Sequence, residues 1–247
     1  MSDPMHITVN AETLLLEAHG AAFWPSEATL IVSDLHFEKG SSFARHGQML
    51  PPYDTLATLA RLADLITRHA PKRIIALGDS FHDVDGPNRL SAPARDMLAK
   101  FTTQSEWIWI EGNHDPDVPL WLGGRTTAQL RIGNLTFRHA PRQADARGEI
   151  AGHLHPATTI TRRGQTLRRR CFVSDGVRLI MPAFGAFTGG LHVRDPAFTA
   201  LFGTNSLAYA LGSHRVYAVS GNPQLVRRNM SEESQPKNAA ITTVENP

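Results

Sequence analysis

The sequence predicts an α/β protein, a mixed αβ sandwich with both parallel and antiparallel strands, on three observations. In the first half, apolar runs rich in β-branched residues alternate with two long segments of helical periodicity, an order that favours parallel pairing. In the second half, short apolar runs follow closely on one another across turn signals such as Arg163-Gly164 and Asp175-Gly176, which favours antiparallel pairing. A composition of 41% hydrophobic and 19% charged residues is that of a globular chain able to bury a core, not of a disordered or fibrous one.

Taken in order, strands are expected at about 6–9, 13–18 and 29–33. Segment 53–69 reads as a helix: Leu56, Leu59, Ala60, Leu62, Ala63 and Ile66 recur at helical spacing, Asp54 stands as N-cap, and Pro71 follows the end. A strand at 73–77 leads to a shorter helix at 91–101, with Ser91 as cap and Pro93 in its first turn. Strands are then expected at 107–111, 128–132, 135–139, 149–152, 157–161, 171–174, 178–181 and 215–219. There is no internal repeat, so 1–223 is read as a single domain, and the polar, aperiodic stretch 224–247 as a disordered tail.

Charge and cysteine usage narrow the setting. The formal net charge is +2, yet Lys occurs only at 39, 72, 100 and 237, so the basic residues are nearly all Arg. Guanidinium forks suit phosphate and carboxylate, although scattered surface Arg explains the same count. The single Cys171 excludes an intrachain disulfide and fits a reducing compartment; within Cys171-Phe172-Val173 it reads as a small core residue rather than a nucleophile. The opening MSDPMHITVN has no basic-then-apolar leader and no apolar run approaches 18 residues, so a cytoplasmic protein with no membrane partner is expected.

The informative feature is where polar clusters fall: each directly follows an apolar strand. Leu30-Ile31-Val32-Ser33 runs into Asp34-Leu35-His36, Ile74-Ile75-Ala76-Leu77 into Gly78-Asp79, and the run from Trp107 to Ile110 into Gly112-Asn113-His114-Asp115. Leu135-Thr136-Phe137 leads to His139, and Glu149-Ile150-Ala151 to Gly152-His153-Leu154-His155. Strand ends thus deliver candidate ligands to one sheet edge, where open α/β sheets place their sites. Asp, Asn and His without thiolate suit first-row divalent ions such as Mn, Fe, Ni or Zn. The set Asp34, His36, Asp79, Asn113, His139, His153 and His155 exceeds the needs of one ion. With one bridging carboxylate it divides between two, about 3.5–4 Å apart. Any one of these residues alone reads as a turn or packing residue; their ordered conjunction carries the reading.

The DxH, GD, GNHD and GHxH motifs, in that order across residues 34–155, resemble the calcineurin-like metallophosphoesterase superfamily. The resemblance implies a metallophosphatase-type αββα sandwich with mixed sheets. It also implies that Asp34, His36 and His155 hold one ion, that Asp79 bridges, and that Asn113, His139 and His153 hold the other. Two cations so placed would neutralise a phosphate and activate a water for in-line attack. His114, beside Asn113, is the candidate to protonate the leaving oxygen; Asp115 either orients its imidazole or caps the turn before Pro116. Phosphoprotein phosphatases of the superfamily carry a GDxVDRG pattern. Here the run is Gly78-Asp79-Ser80-Phe81-His82-Asp83-Val84-Asp85, which disfavours a phosphoprotein substrate and leaves His82 as a substrate-binding or positioning candidate.

A closer resemblance is to the bacterial ligase-associated, DEXH-box helicase-linked group called PdeM, through Phe43-Ala44-Arg45, Leu50-Pro51-Pro52-Tyr53-Asp54, Gly78-Asp79-Ser80-Phe81-His82-Asp83 and Pro182-Ala183-Phe184-Gly185-Ala186-Phe187-Thr188-Gly189-Gly190. It implies a manganese-favouring phosphodiesterase acting on nucleotides, 2′,3′-cyclic ones among them, or a nuclease-type activity. DNA repair would be the setting, with a DNA ligase and a DEXH-box helicase as family-associated partners. Arg45 and His46, in the segment between the first metal motif and the helix, are candidates for contacting substrate. Arg162, Arg163, Arg168, Arg169 and Arg170 flank a Gly164 hairpin and either track a nucleic-acid backbone or guard a strand edge with charge; no aromatic residue interleaves with them. The alternatives are a pyrophosphohydrolase or phosphomonoesterase of the same superfamily, and a metal-binding repair subunit with little turnover. The complete ligand set argues against the last.

Overall fold

The computed structural model describes residues 5–219 except 49, 52, 144, 145, 163 and 204; the tail expected from 224 lies outside the described residues. Strands β1 (Met5–Val9), β2 (Glu12–Leu16), β3 (Ala22–Trp24), β4 (Thr29–Val32), β5 (Arg73–Leu77), β6 (Glu106–Ile110) and β7 (Arg125–Thr127) form one sheet in that order. The pairs from β1 to β4 are antiparallel hairpin-type pairs, and those from β4 to β7 are parallel. The parallel pairs β4–β5 and β5–β6 are joined through helices α2 (Asp54–His69) and α4 (Ala92–Gln104), as crossover connections require. Helices α1 (Lys39–Arg45) and α3 (Gly86–Arg89) precede them.

The second sheet is made of β8 (Leu130–Ile132), β9 (Leu135–Arg138), β10 (Glu149–Ala151), β12 (Gln165–Ser174), β13 (Leu179–Ile180), β14 (Leu207–Leu211) and β15 (Val216–Val219), with β11 (Ala157–Arg162) paired to the outer half of β12. Its spatial order is β15-β14-β12-β13-β10-β9-β8, and β10 runs parallel to both β9 and β13, so this half is not wholly antiparallel. Helix α5 (Pro196–Phe202) completes the described elements, its N-terminus capped by Asp195, which accepts from the Ala197 N–H at 3.0 Å.

Side-chain alternation sets the layers. On the first sheet Ile31, Ile75, Leu77, Ile108 and Ile110 join Phe137, Ile150, Phe172 and Leu179 of the second sheet in one buried core between them. The intervening residues Leu30, Val32, Ile74, Ala76, Trp107 and Trp109 face the opposite way and pack with Leu59, Leu62 and Leu65 of α2 and Leu98 and Phe101 of α4. On the second sheet the outward positions Ala151, Cys171, Val173, Ile180, Ala208 and Ala210, most of them small, pack with Phe198 and Phe202 of α5. This period of two produces a four-layer αββα sandwich. Each fully buried Leu contributes roughly 1.5–3 kcal/mol.

The structure adds elements the sequence reading lacked. β3 and β7 span three residues each, too short for a periodic signal. β14 is buried at every position, so it shows no alternation. Asp54 is not the N-cap of α2: that position is Tyr53, and the Asp54 carboxylate accepts from the Gly40 N–H of α1 at 3.1 Å. Ser91 does cap α4, accepting from Ala94 N–H at 3.4 Å. No described helix is long and apolar enough to cross a membrane.

Candidate metal centre

The loops after β4 and β5 prolong the sheet beyond its strands. Asp34 N–H donates to Gly78 O, His36 N–H to Asp79 O, and Phe37 N–H to Ser80 O, at 2.8–3.2 Å. The loop after β10 is tied to the loop after β9 by Gly152 N–H donating to His139 O at 2.9 Å. Both sheets thus hand their polar residues to one edge. Gly152 has no room for a Cβ, which would fall on the Ser33 hydroxyl and the Asp34 carboxylate, so only glycine lets the two loops close on each other.

Two clusters result. Asp34, His36 and His155 bring ligand atoms within 4.8 Å of one another, and so do Asp79, His139 and His153. His155 Nε2 lies 3.1 Å from Asp34 Oδ1, and His36 Nε2 3.3 Å from His155 Nε2. In the second cluster, His139 Nε2 lies 3.4 Å from Asp79 Oδ2 and 3.1 Å from His153 Nδ1. His139 Nδ1 is 2.9 Å from Leu77 O, so it carries a proton and Nε2 is the atom turned inward, toward Asp79 and His153. The clusters adjoin: Asp34 Oδ1 is 3.8 Å from His139 Nδ1, and Asp34 accepts from the His153 N–H at 3.0 Å.

Five of these side chains sit on strained backbone. Asp34, His36, Asp79, His153 and His155 have φ of 51°, 45°, 46°, 68° and 45°. Left-handed non-glycine residues cost about 1–3 kcal/mol each and persist where the surrounding structure imposes them.

The electrostatics suit cations. Asp34 is fully buried and Asp79 nearly so. Burial pushes both carboxyls up, but His155, His139 and Ser33 hold Asp34 below the usual range, and His139 and the His114 N–H do the same for Asp79. Burial pushes His36 down to about 3. Burial also works against a charged His139, yet its bond to Asp79 and the Asp34 charge push it up to about 9. Imidazole nitrogens facing one another at 3.1 and 3.3 Å around ionised carboxylates repel unless a proton or cation lies among them. The buried Nδ1 of His36 has no hydrogen-bond partner. The donor set therefore fits two divalent ions, one per cluster.

The remaining candidates are distributed unequally. Asn113 and His114 are exposed in the loop after β6, where His114 N–H donates to Asp79 Oδ1 at 2.9 Å. His114 Nδ1 lies 2.8 Å from His82 O, leaving Nε2 free at 3.9 Å from Asp79 Oδ2. His82 stacks on His114 with ring centroids 5.5 Å apart. Asp115 has no described contact with the His114 ring. It is buried, and its Oδ2 accepts from Ser80 N–H and Phe81 N–H at 2.8 and 3.1 Å, clamping the loop that carries Asp79. Arg45 pairs with Asp85 at 3.2 Å, and His46 Nδ1 lies 2.9 Å from Ser42 O; neither has a described contact with the clusters.

The Arg run is also mixed. Arg170 donates to Ala183 O at 2.6 Å and Gly185 O at 3.2 Å, and Arg168 donates to Gly190 O, so both bind protein backbone. Arg169 is exposed, and Arg163 and the Arg162 side chain lie outside the described residues. Sequence reasoning gave no role to Ser33, whose hydroxyl donates to Asp34 Oδ2 at 2.5 Å, and did not foresee the backbone contacts of Arg170; a lone Ser ahead of DxH and a long-range backbone contact leave no periodic signal.

Comparison with known proteins agrees with this geometry. Residues 28–172 match the calcineurin-like phosphoesterase family model. The chain is similar to the crystal structure of the Pseudomonas putida nuclease MPE, at 30% identity and a TM-score of 0.69, covering 88% of this chain and 100% of that one. A phosphoesterase from E. coli, Yfce, aligns at 16% identity and a TM-score of 0.39 over 78% of this chain and 99% of that one. No curated protein matches. With its family motifs gathered at one edge of an αββα sandwich, the chain belongs to the calcineurin-like phosphoesterase family and is a metal-dependent phosphoester hydrolase.

Proposed function

We propose that this protein is a dinuclear, manganese-favouring phosphodiesterase acting on nucleotides, 2′,3′-cyclic ones among them, or on nucleic acid, and that it belongs with the ligase-associated PdeM group in DNA repair. The observation that carries this reading is the pair of facing clusters, Asp34–His36–His155 and Asp79–His139–His153, with His114 Nε2 at their rim. Support for a nucleic-acid substrate comes from the 30% identical neighbour, itself described as a nuclease. Association with a DNA ligase and a DEXH-box helicase follows from the group resemblance. A cytoplasmic setting is supported by the buried, free Cys171.

In this reading Asp34, His36 and His155 would hold one ion, Asn113, His139 and His153 the other, and Asp79 would be shared between them. Asp79 lies against His139, and its charge also bears on His36, which supports the bridging role. When bound, the ions supply charge neutralisation on the phosphate and an acidified water for in-line attack. Leu77 O fixes the His139 ring so that Nε2 faces inward. His82 O fixes His114 likewise, so that Nε2 can give a proton to the departing alkoxide. Asp115 holds the Ser80–Phe81 backbone and with it the position of Asp79. His82, stacked on His114, and Arg45 and His46 beyond it are the proposed substrate contacts.

The test is hydrolysis by chelator-stripped protein, with and without added manganese, of bis-p-nitrophenyl phosphate, p-nitrophenyl phosphate and 2′,3′-cyclic AMP. Manganese-dependent turnover of the diesters, reduced about 10²–10⁴-fold in His114→Ala, is the expected result. Preference for the monoester would replace the reading with a phosphomonoesterase. Absence of turnover on every substrate would favour a metal-binding repair subunit.

A further inference from the structure

Segment 183–191 after β13 is bound to both loops of the first cluster. Phe184 N–H donates to Ser33 O at 2.8 Å and Gly185 N–H to Asp34 O at 3.1 Å. At its far end Leu191 N–H donates to Leu154 O at 3.3 Å, and Gly190 packs so closely on the His155 carbonyl that a Cβ would overlap it. From β12, Arg170 grips the carbonyls of Ala183 and Gly185 and Arg168 that of Gly190. From α2, Thr58 Oγ1 accepts from Ala186 N–H at 3.1 Å.

At the crest of this braced segment stands Phe187. It is 49% exposed, and its φ is +58°, a conformation that a bulky side chain rarely adopts. It lies two residues beyond Gly185, so no more than about 7 Å of extended chain separates it from a residue bonded to Asp34. The ring is half exposed beside the loops of the first cluster, on a turn whose positive φ costs a non-glycine residue stability.

We infer that Phe187 is a stacking platform for a planar aromatic group carried by the substrate, that is, a nucleobase attached to the phosphate held at the two clusters. The inference rests on the nucleotide phosphodiesterase reading and specifies which residue recognises the base. The arginines of β12 then act as positioning residues for the platform rather than as a track for a nucleic-acid backbone. Stacking is indifferent to base identity, so Phe187 confers a requirement for a base without sequence preference.

The experiment compares the affinity of the manganese-supplemented protein for AMP and for ribose 5-phosphate, which share the phosphate and sugar and differ by the base, using isothermal titration. Wild type is expected to favour AMP by roughly 5- to 150-fold, the range for one base on one aromatic ring. Phe187→Gly, which removes the ring and relieves the positive φ, is expected to bring the ratio close to one without lowering the melting temperature. Phe187→Trp is expected to retain the preference. A ratio near one in wild type, or an unchanged ratio in Phe187→Gly, overturns the inference. Hydrolysis of bis-p-nitrophenyl phosphate by wild type is measured alongside: its absence would sink the phosphodiesterase reading, while the binding ratio would still decide the role of Phe187.

Discussion

Replacing Asp115 with Asn separates the clamp on Ser80 and Phe81 from the charge that performs it. Asp115 is only 2% exposed, and burial, reinforced by the nearby Asp79 charge, raises its carboxyl from 3.8 to about 7, although the two backbone N–H donors pull the other way. A shift of about three pH units corresponds to roughly 4 kcal/mol between protonation states. Because the folded-state value lies above the unfolded one, the metal-free folded protein binds the extra proton between these pH values. Wild-type stability therefore falls as pH rises from about 4 to 7, and the loss is complete above 7. Asn keeps an acceptor for both N–H groups and carries no charge. In chelator, urea unfolding at steps from pH 4 to 8 should find Asp115→Asn about equal to wild type at pH 4 and more stable by a few kcal/mol at pH 8. Taking the difference between the two proteins cancels the histidines they share. With manganese present, the adjacent positive charge favours the carboxylate and the advantage should shrink. A difference independent of pH, or a mutant less stable at pH 8, would refute the reasoning.

Other predictions follow from the same contacts. Arg170→Met removes charge-assisted bonds to Ala183 O and Gly185 O, each worth about 1.5–3 kcal/mol, and should lower stability by a few kcal/mol and speed amide exchange across 183–190. The exposed Arg169→Ala should cost within about 0.5 kcal/mol; equal effects of the two changes would count against the clamp. His139, pushed up to about 9, must lose its proton when an ion binds. Manganese affinity should consequently rise with pH through the neutral range and level off above about 9. Calorimetry in buffers of different ionisation enthalpy should find net proton release on binding at pH 7 that falls away above pH 9.

How much of this was legible depends on how local each cause is. The ends of β4, β5, β6 and β10 could be read because an apolar run stops abruptly at Asp34, Asp79, Gly112 or Gly152, and the pairing of strand order with helix order fixed which edge those ends share. Helix α1 could not: Lys39–Arg45 contains Gly and two Ser with no apolar stripe, and it is held by Asp54 from the next helix. The partners of Asp115 could not be read, since sequence offers only its chain neighbours as candidates while Ser80 and Phe81 are 34–35 residues away. The arginine run stayed ambiguous for a similar reason, since a strand alternates its faces and Arg168 and Arg170 share one that meets the 183–190 backbone.

The central claim is that two cations sit between the strand-end clusters, and anomalous scattering from manganese-soaked crystals tests it most directly. The account predicts two peaks about 3.5–4 Å apart, one against Asp34, His36 and His155 and one against Asp79, His139 and His153, with Asp79 in contact with both. A single peak, or peaks away from these residues, would contradict it.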